Sequence, residues 1–347
     1  MIDSLFVILI VINTLLIMDK RKIMSAKILV IGANGQLGSV LTKALQNKFG
    51  LDNVVASDIQ EAPNFYGLFE VLDANDRNQI QDVVTKHGIA QIYHLAAILS
   101  AKGEANPLAT WDINMNMLFN VLEVSRVNGL DKVFFPSSIA VFGEDAPANN
   151  TPNNAFLNPA TVYGMSKAAG ENWAQYYFLK YGLDVRSIRY PGVIGYQSMP
   201  GGGTTDYAVD IFHKAVLEEE FSCFLEENTT LPMIFMDDAI RATLELMEAP
   251  KENITLRTSY NLSGCSFSPK DIVKEIRNYY PDFQVKYEPD FRQEIASRWP
   301  KSINADEATK DWRWKPEYDL KMITGTMIEK LRGHYGTRSK KSMGILI

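Results

Sequence analysis

Lys27-Ile28-Leu29-Val30-Ile31-Gly32-Ala33-Asn34-Gly35-Gln36-Leu37-Gly38 is the stretch that decides the fold. A short, mostly apolar run reads as a strand. Leu37, Val40, Leu41, Ala44 and Leu45 then recur at helical spacing until Gly50. Strand, glycine turn and helix in that order open a dinucleotide-binding βαβ unit. Gly32 makes the tight turn, Gly35 lets backbone approach a pyrophosphate, and Gly38 lets the helix lie close to the sheet. The first N–H groups of that helix, at Gln36 and Leu37, then face the anion. Asp58 follows twenty residues after Gly38, at the end of the second predicted strand, where a carboxylate can accept both ribose hydroxyls. The same charge repels a 2′-phosphate, and Ser57-Asp58-Ile59-Gln60 contains no Arg, so NAD is expected rather than NADP.

Outward from this unit, short apolar runs alternate with helical periodicity. Strands are expected at 54–57, 69–72, 91–95, 133–136 and 185–190. Helices are marked by Ile80, Val83 and Val84, by Met117, Leu118, Val121 and Leu122, and by Ala168, Ala169, Trp173 and Tyr177. This alternation predicts an α/β fold, a Rossmann-type doubly wound parallel sheet with a smaller C-terminal α/β substrate-binding part. The rhythm changes after Tyr190. A loop, Pro200-Gly201-Gly202-Gly203, leads to a helix near 207–216, and Ser268-Pro269-Lys270-Asp271 has the cap, proline and acid of a helix start. The Asn- and Pro-rich residues 146–159 read as a surface loop. The expected organisation is an NAD-binding domain at 24–190, a mainly substrate-binding part at 191–335 with segments returning to that domain, and a tail at 336–347.

The 347 residues suffice for about two domains without metal or disulfide staples. A net charge of −6 argues against nucleic acid, whose phosphates call for clustered Lys and Arg. Cys223 and Cys265 form no CxxC pair, and His87, His213 and His334 have no companion at ligand spacing, so no metal site and a reducing compartment are expected. His94 reads as a packed structural residue. Twelve of the fourteen residues from Leu5 to Met18 are apolar, short of the roughly 18–20 needed for a spanning helix. No basic residue precedes that run, and Lys20-Arg21-Lys22 follows it, unlike a signal peptide. No stable membrane span is expected. The simplest account is that Met24 is the true start, with residues 1–23 an apolar extension; were that extension inserted, positive-inside bias would keep the body cytoplasmic.

Tyr163 and Lys167, four apart in YGMSK, emerge on one helix face. An ammonium beside a phenol favours the phenolate, which makes a base near neutral pH. Pro136-Ser137-Ser138 ends a predicted strand twenty-five residues earlier and offers a hydroxyl to a substrate oxygen.

The glycine turn, the acid after strand two, Leu72-Asp73, His94-Leu95-Ala96-Ala97, Asn114, the run Ser137 to Gly143 and YxxxK, in that order, resemble the extended short-chain dehydrogenase/reductases. The resemblance covers nearly everything from Lys27 onward. It implies Tyr163 as general base, Lys167 as its pKa-lowering partner and nicotinamide-ribose ligand, and Ser138 as the hydroxyl that orients the reacting oxygen. Asn114 would support the site, Leu72 and Asp73 would border adenine, and Leu95, Ala96, Ala97, Tyr190 and Ile194 would line the cofactor. One departure is Phe142, where the family often has tyrosine. Within the family, stretches such as Pro200 to Tyr207 and Arg298-Trp299-Pro300 are similar to the L-threonine 3-dehydrogenase branch. That likeness implies NAD-dependent oxidation of L-threonine, a cytoplasmic homodimer, and substrate contacts from Ser100, Gly203 and Thr204. The loop at 200–205 would be a lid. A nucleotide-sugar epimerase would use the same Tyr, Lys and Ser, but Phe142 and the glycine loop stand against it. A dehydratase would need an acidic pair where Ile139 and Ala140 stand, and a non-catalytic NAD sensor would commonly lack the Tyr–Lys pair.

Overall fold

The computed structural model describes residues 27–343. The expected N-terminal extension and start at Met24 lie outside the described residues. Two compact units divide the chain, one of residues up to Ala96 with Asn120–Val133, the other of Ala97–Phe119 with Phe134 onward.

In the first unit, β1 (Lys27–Ile31), α1 (Gln36–Phe49), β2 (Val54–Asp58), β3 (Leu68–Val71), α2 (Arg77–His87) and β4 (Ile89–His94) alternate as the sequence predicts, with ends shifted by a residue or two. The strand order is β3-β2-β1-β4, all parallel. Ile28, Leu29, Val30, Val54, Val55 and Ala56 are fully buried, because a parallel strand covered on both faces has no solvent side. Asp76 caps α2 by accepting from Asn78 N, and Gly88 closes it in the left-handed region.

The second unit contains α3 (Ser100–Gly103), the first half of α4 (Pro107–Val127), most of β5 (Lys132–Ser138), α5 (Val162–Tyr181) and β6 (Val185–Tyr190). After these come β7 (Gly192–Ile194), α6 (Tyr207–Val216), β8 (Phe221–Cys223), β9 (Leu231–Phe235), α7 (Met236–Glu248) and β10 (Tyr260–Asn261). The chain ends with β11 (Cys265–Phe267), α8 (Pro269–Ile276), β12 (Val285–Tyr287), α9 (Phe291–Ser297), α10 (Asp306–Trp312) and α11 (Leu320–Met343). Strands β5, β6 and β10 are neighbours in that order. With β3-β2-β1-β4 this is the strand sequence of a Rossmann-type, doubly wound α/β fold. Small sheets β11-β9-β7 and β12-β8 make the C-terminal part, over a core that includes Phe142, Tyr207, Phe212, Phe235, Ile272 and Met327. Ser268 caps α8 in a full capping box with Asp271, the arrangement its sequence predicts.

Residues 146–159 form an irregular, largely exposed segment, as expected of a surface loop, but one anchored at buried positions. Thr151 and Asn153 are buried, Thr151 bridges Ile303, and Asn261 Nδ2 donates to Thr151 O at 3.0 Å. Asn153 Nδ2 donates to Ser259 O at 3.0 Å, while its Oδ1 accepts from Asn261 N at 2.6 Å. Asparagine side chains can stand in for a missing strand partner as readily as they face water, and this segment uses them in both ways.

Candidate active site

In the first unit, Ile31 O accepts from Leu95 N and Ala96 N at 2.8 and 3.1 Å, and Gly32 N and Ala33 N both donate to Ser57 O at 2.9 Å. The turn is thus tied to the ends of β2 and β4. Gly32 has φ 90°, and a Cβ there would lie 2.6 Å from Ala96 N; at Gly38 one would lie 2.0 Å from Gly32 O. Neither position admits another residue without moving backbone. Gly35 is less crowded, its nearest neighbour being Gly32 O at 3.3 Å. No side chain caps the N-terminus of α1, no acid occupies its first turn, and Gln36 Nε2 is buried with no hydrogen-bond partner. An uncapped helix start beside a bare turn fits a pyrophosphate.

Asp58 lies against this turn. Its Oδ2 accepts from Asn34 N at 3.0 Å, its Oδ1 from Ile59 N at 2.9 Å, and Asn34 Nδ2 donates to Gln60 O at 2.9 Å. A carboxylate has about four acceptor sites, so two remain for ribose hydroxyls. Leu72 is buried and its N–H donates to Asp58 O, while Asp73 Oδ1 accepts from Asn75 N at 2.9 Å. These residues fit a dinucleotide.

In the second unit, Thr161 starts α5 by accepting from Gly164 N at 3.1 Å, and Glu104 accepts from Val162 N at 2.8 Å. A Cβ on Gly164 would lie 2.1 Å from Ala140 O and one on Gly170 would lie 2.5 Å from Phe135 Cζ, so α5 is pressed on the end of β5. Tyr163 therefore faces Ser138, whose hydroxyl is close enough to favour the ionised phenol. Ser138 Oγ accepts from Ala140 N at 3.1 Å, which leaves its own proton for the phenol oxygen. Lys167 is buried, with Nζ 4.6 Å from the ring centre of Phe135 and 5.5 Å from that of Tyr163. Asn114 holds Ile98 at both ends, accepting from its N–H at 2.9 Å and donating to its carbonyl at 3.1 Å.

Burial pushes the Tyr163 phenol up to about 12, against the lowering effect of Ser138, and brings the Lys167 ammonium down to about 7. An ammonium that lowers the phenol is what the spacing suggests. Here desolvation dominates both groups, with Nζ lying over ring faces.

The remaining expected residues divide. Ser100 is buried at the start of α3, and Ala97 is half-buried. Thr204 is buried with Oγ1 unpartnered, as a ligand-binding hydroxyl would be. Gly203 N donates to Asp206 Oδ2 at 2.7 Å, as does Gly202 N, so the N–H expected for substrate is held within the loop. Tyr190 OH is hydrogen-bonded to Thr243 Oγ1, and Ile194 is fully buried in the core. Among the described residues no cluster of His, Cys, Asp or Glu could hold a metal ion, and no helix is long and apolar enough to cross a membrane.

A family model described as the NAD dependent epimerase/dehydratase family matches residues 28–263. The chain belongs to that family. Among its relatives, an L-threonine dehydrogenase from Cupriavidus necator, solved in its holo form, is 52% identical over 88% of this chain and 99% of that one, with a TM-score of 0.87. A structure titled monomeric L-threonine 3-dehydrogenase, from a metagenome, is 49% identical at the same coverage and TM-score. The mitochondrial L-threonine 3-dehydrogenase of Bos taurus is 44% identical over 87% of this chain and 82% of its own length. NAD is the cofactor of this family, and the glycine turn, uncapped α1 and Asp58 fit it.

Glu171, Arg189 and Ser137 surround the end of β5, and the motif reading passes over them as site residues. The available signal was the position of Glu171, eight residues after Tyr163 and so on the same helix face.

Proposed function

We propose that the protein oxidises L-threonine at its 3-hydroxyl to 2-amino-3-ketobutyrate with NAD, in the cytoplasm. The reading is carried by the 52% identity, across 99% of that chain, to a protein named L-threonine dehydrogenase. Tyr163 takes the hydroxyl proton, and Ser138 donates to the reacting oxygen and orients it. Lys167 favours the phenolate whenever it is charged. When bound, NAD supplies the hydride acceptor. Gly32, Gly35, Gly38 and the α1 N-terminus would hold its pyrophosphate, and Asp58 a ribose. Thr204 supplies a buried hydroxyl suited to a small zwitterion. Phe142 carries no hydroxyl and is fully buried, its ring 5.1 Å from the Arg189 guanidinium carbon.

The same reading takes the working form to be a homodimer. Leu108 and Trp111 on α4, with Met165, Trp173, Leu179 and Tyr181 on α5, are exposed apolar side chains, Leu108 by 80% and Leu179 by 72%.

Purified protein incubated with NAD and either L-threonine or UDP-galactose, with NADH followed by absorbance, tests the reading. NADH is expected with threonine alone. Sugar conversion without NADH would replace the proposal with an epimerase. Light scattering on the same sample should give twice the chain mass.

A further inference from the structure

Tyr163, Lys167 and Glu171 follow one another at four-residue steps on α5, and the third does no chemistry in the proposed reaction. Glu171 is 1% exposed. Its Oε1 accepts from Ser137 Oγ at 2.6 Å and from Arg189 Nε at 2.8 Å, and its Oε2 accepts from Arg189 Nη2 at 2.7 Å. Arg189 Nη1 donates in turn to Asn153 O at 2.7 Å and Asn261 Oδ1 at 3.1 Å. Ser137 and Arg189 are also buried. One carboxylate on α5 thereby ties together the end of β5, the end of β6, β10 and the segment around Asn153.

A buried ion pair contributes little net stability compared with apolar residues of the same volume, because both charges lose their hydration. What it does provide is geometry, since a bidentate Arg–carboxylate pair holds two planes in one orientation. Ser137 is the immediate neighbour of Ser138. Consecutive strand side chains point to opposite faces, so anchoring one fixes the rotation of the next about the strand axis. We propose that Glu171 is a positioning residue that acts through Ser137 to hold Ser138 Oγ against the Tyr163 phenol. This rests on the roles given above to Tyr163 and Ser138. Arg189 holds the Glu171 carboxylate in one orientation, so that the acceptor offered to Ser137 has one fixed place.

The Ser137→Ala variant removes a single hydroxyl and leaves the ion pair intact. With threonine and NAD, kcat should fall about tenfold or more, since misplacement of an orienting group by a fraction of an ångström acts on the reacting geometry. The KM for threonine and the NAD dissociation constant should stay within twofold. A merely structural hydroxyl would change the unfolding midpoint and leave kcat alone. Glu171→Gln, combined with Ser137→Ala, should lower kcat no further than the more damaging single change, because both act through one hydrogen bond. Wild-type kcat in Ser137→Ala, or fully additive losses in the double variant, would overturn the inference. Tyr163→Phe run in parallel separates the two readings. If that variant is inactive while Ser137→Ala keeps its kcat, only the positioning role fails; if it turns over normally, the assignment of the base fails first.

Discussion

At the β1–α1 turn the groups that would meet a ligand are backbone N–H groups, whereas at the β5–α5 junction they are a phenol, an ammonium and a hydroxyl. The first site is held by exclusion. Gly32 and Gly38 leave no room for a side chain, and the backbone follows from that. The second is held by buried polar groups: Lys167 is buried, and Glu171 and Arg189 pair with each other one turn further along. Binding surfaces built from backbone tolerate side-chain change nearby, while chemistry built from side chains depends on every neighbour that fixes a rotamer or a protonation state. Mutations should therefore separate the two, with affinity following the turn and turnover following the junction.

The largest expected effect is at Tyr163. Removing its hydroxyl in Tyr163→Phe takes away the proton acceptor, and turnover should fall by about 10²–10⁴-fold, the range of general acid–base catalysis. NAD affinity, read by fluorescence titration, should be nearly unchanged, since the turn is untouched. Equal losses in turnover and NAD affinity would show that the two regions cannot be treated apart.

Lys167 sharpens the contrast through stability. Its ammonium ordinarily titrates near 10.5 and burial brings it to about 7. Between those values the unfolded chain carries a proton that the folded protein has released, so this group's contribution to stability rises with pH across that window. Below about pH 7 both states carry the proton and the burial penalty is complete. Lys167→Met should therefore unfold at a higher temperature than the wild type at pH 6, by an amount worth a few kcal/mol, because each tenfold change in a protonation equilibrium is worth about 1.4 kcal/mol. The advantage should shrink steadily and vanish near pH 10. A constant difference between pH 6 and pH 10, measured by circular dichroism, would mean that the ammonium is not desolvated.

The same contrast explains what could be read from sequence. Backbone constraints leave glycines, and Gly32, Gly35 and Gly38 at fixed spacing between an apolar strand and a periodic helix specify turn, strand order and anion site together. The grouping of Tyr163, Lys167 and Ser138 was legible because the proposed chemistry calls for those residue types. The Ser137–Glu171–Arg189 network was not, because its members lie 34 and 18 residues from Glu171 and one side-chain pattern serves core, surface and site alike. Residues 146–159 were legible as a loop, but the buried anchors Thr151 and Asn153 within it were not, since Asn and Thr with backbone partners have the composition of a solvated segment. Gly203 also has the right type in the right place, yet its N–H is held by Asp206, a contact that depends on the conformation of the loop and not on its residues.

The smallest expected effect belongs to the backbone-built site, at the Asp58 side chain. Asp58 has two parts to play in the proposed reading: its charge would disfavour a 2′-phosphate, and its oxygens hold Asn34 N and Ile59 N. Asp58→Ala loses both, so the ratio of kcat/KM for NADP to that for NAD should rise about tenfold, with some loss of activity on NAD from a looser turn. Asp58→Asn keeps an oxygen that can accept one of those N–H groups while removing the charge. If selectivity is electrostatic, it should match the alanine variant in coenzyme ratio while retaining more of the NAD activity. A ratio unchanged in both variants would remove Asp58 from the ribose. A ratio changed in alanine alone would mean that the shape of the turn, held by two backbone hydrogen bonds, is what distinguishes the coenzymes, and the backbone rule for this region would then extend to Asp58.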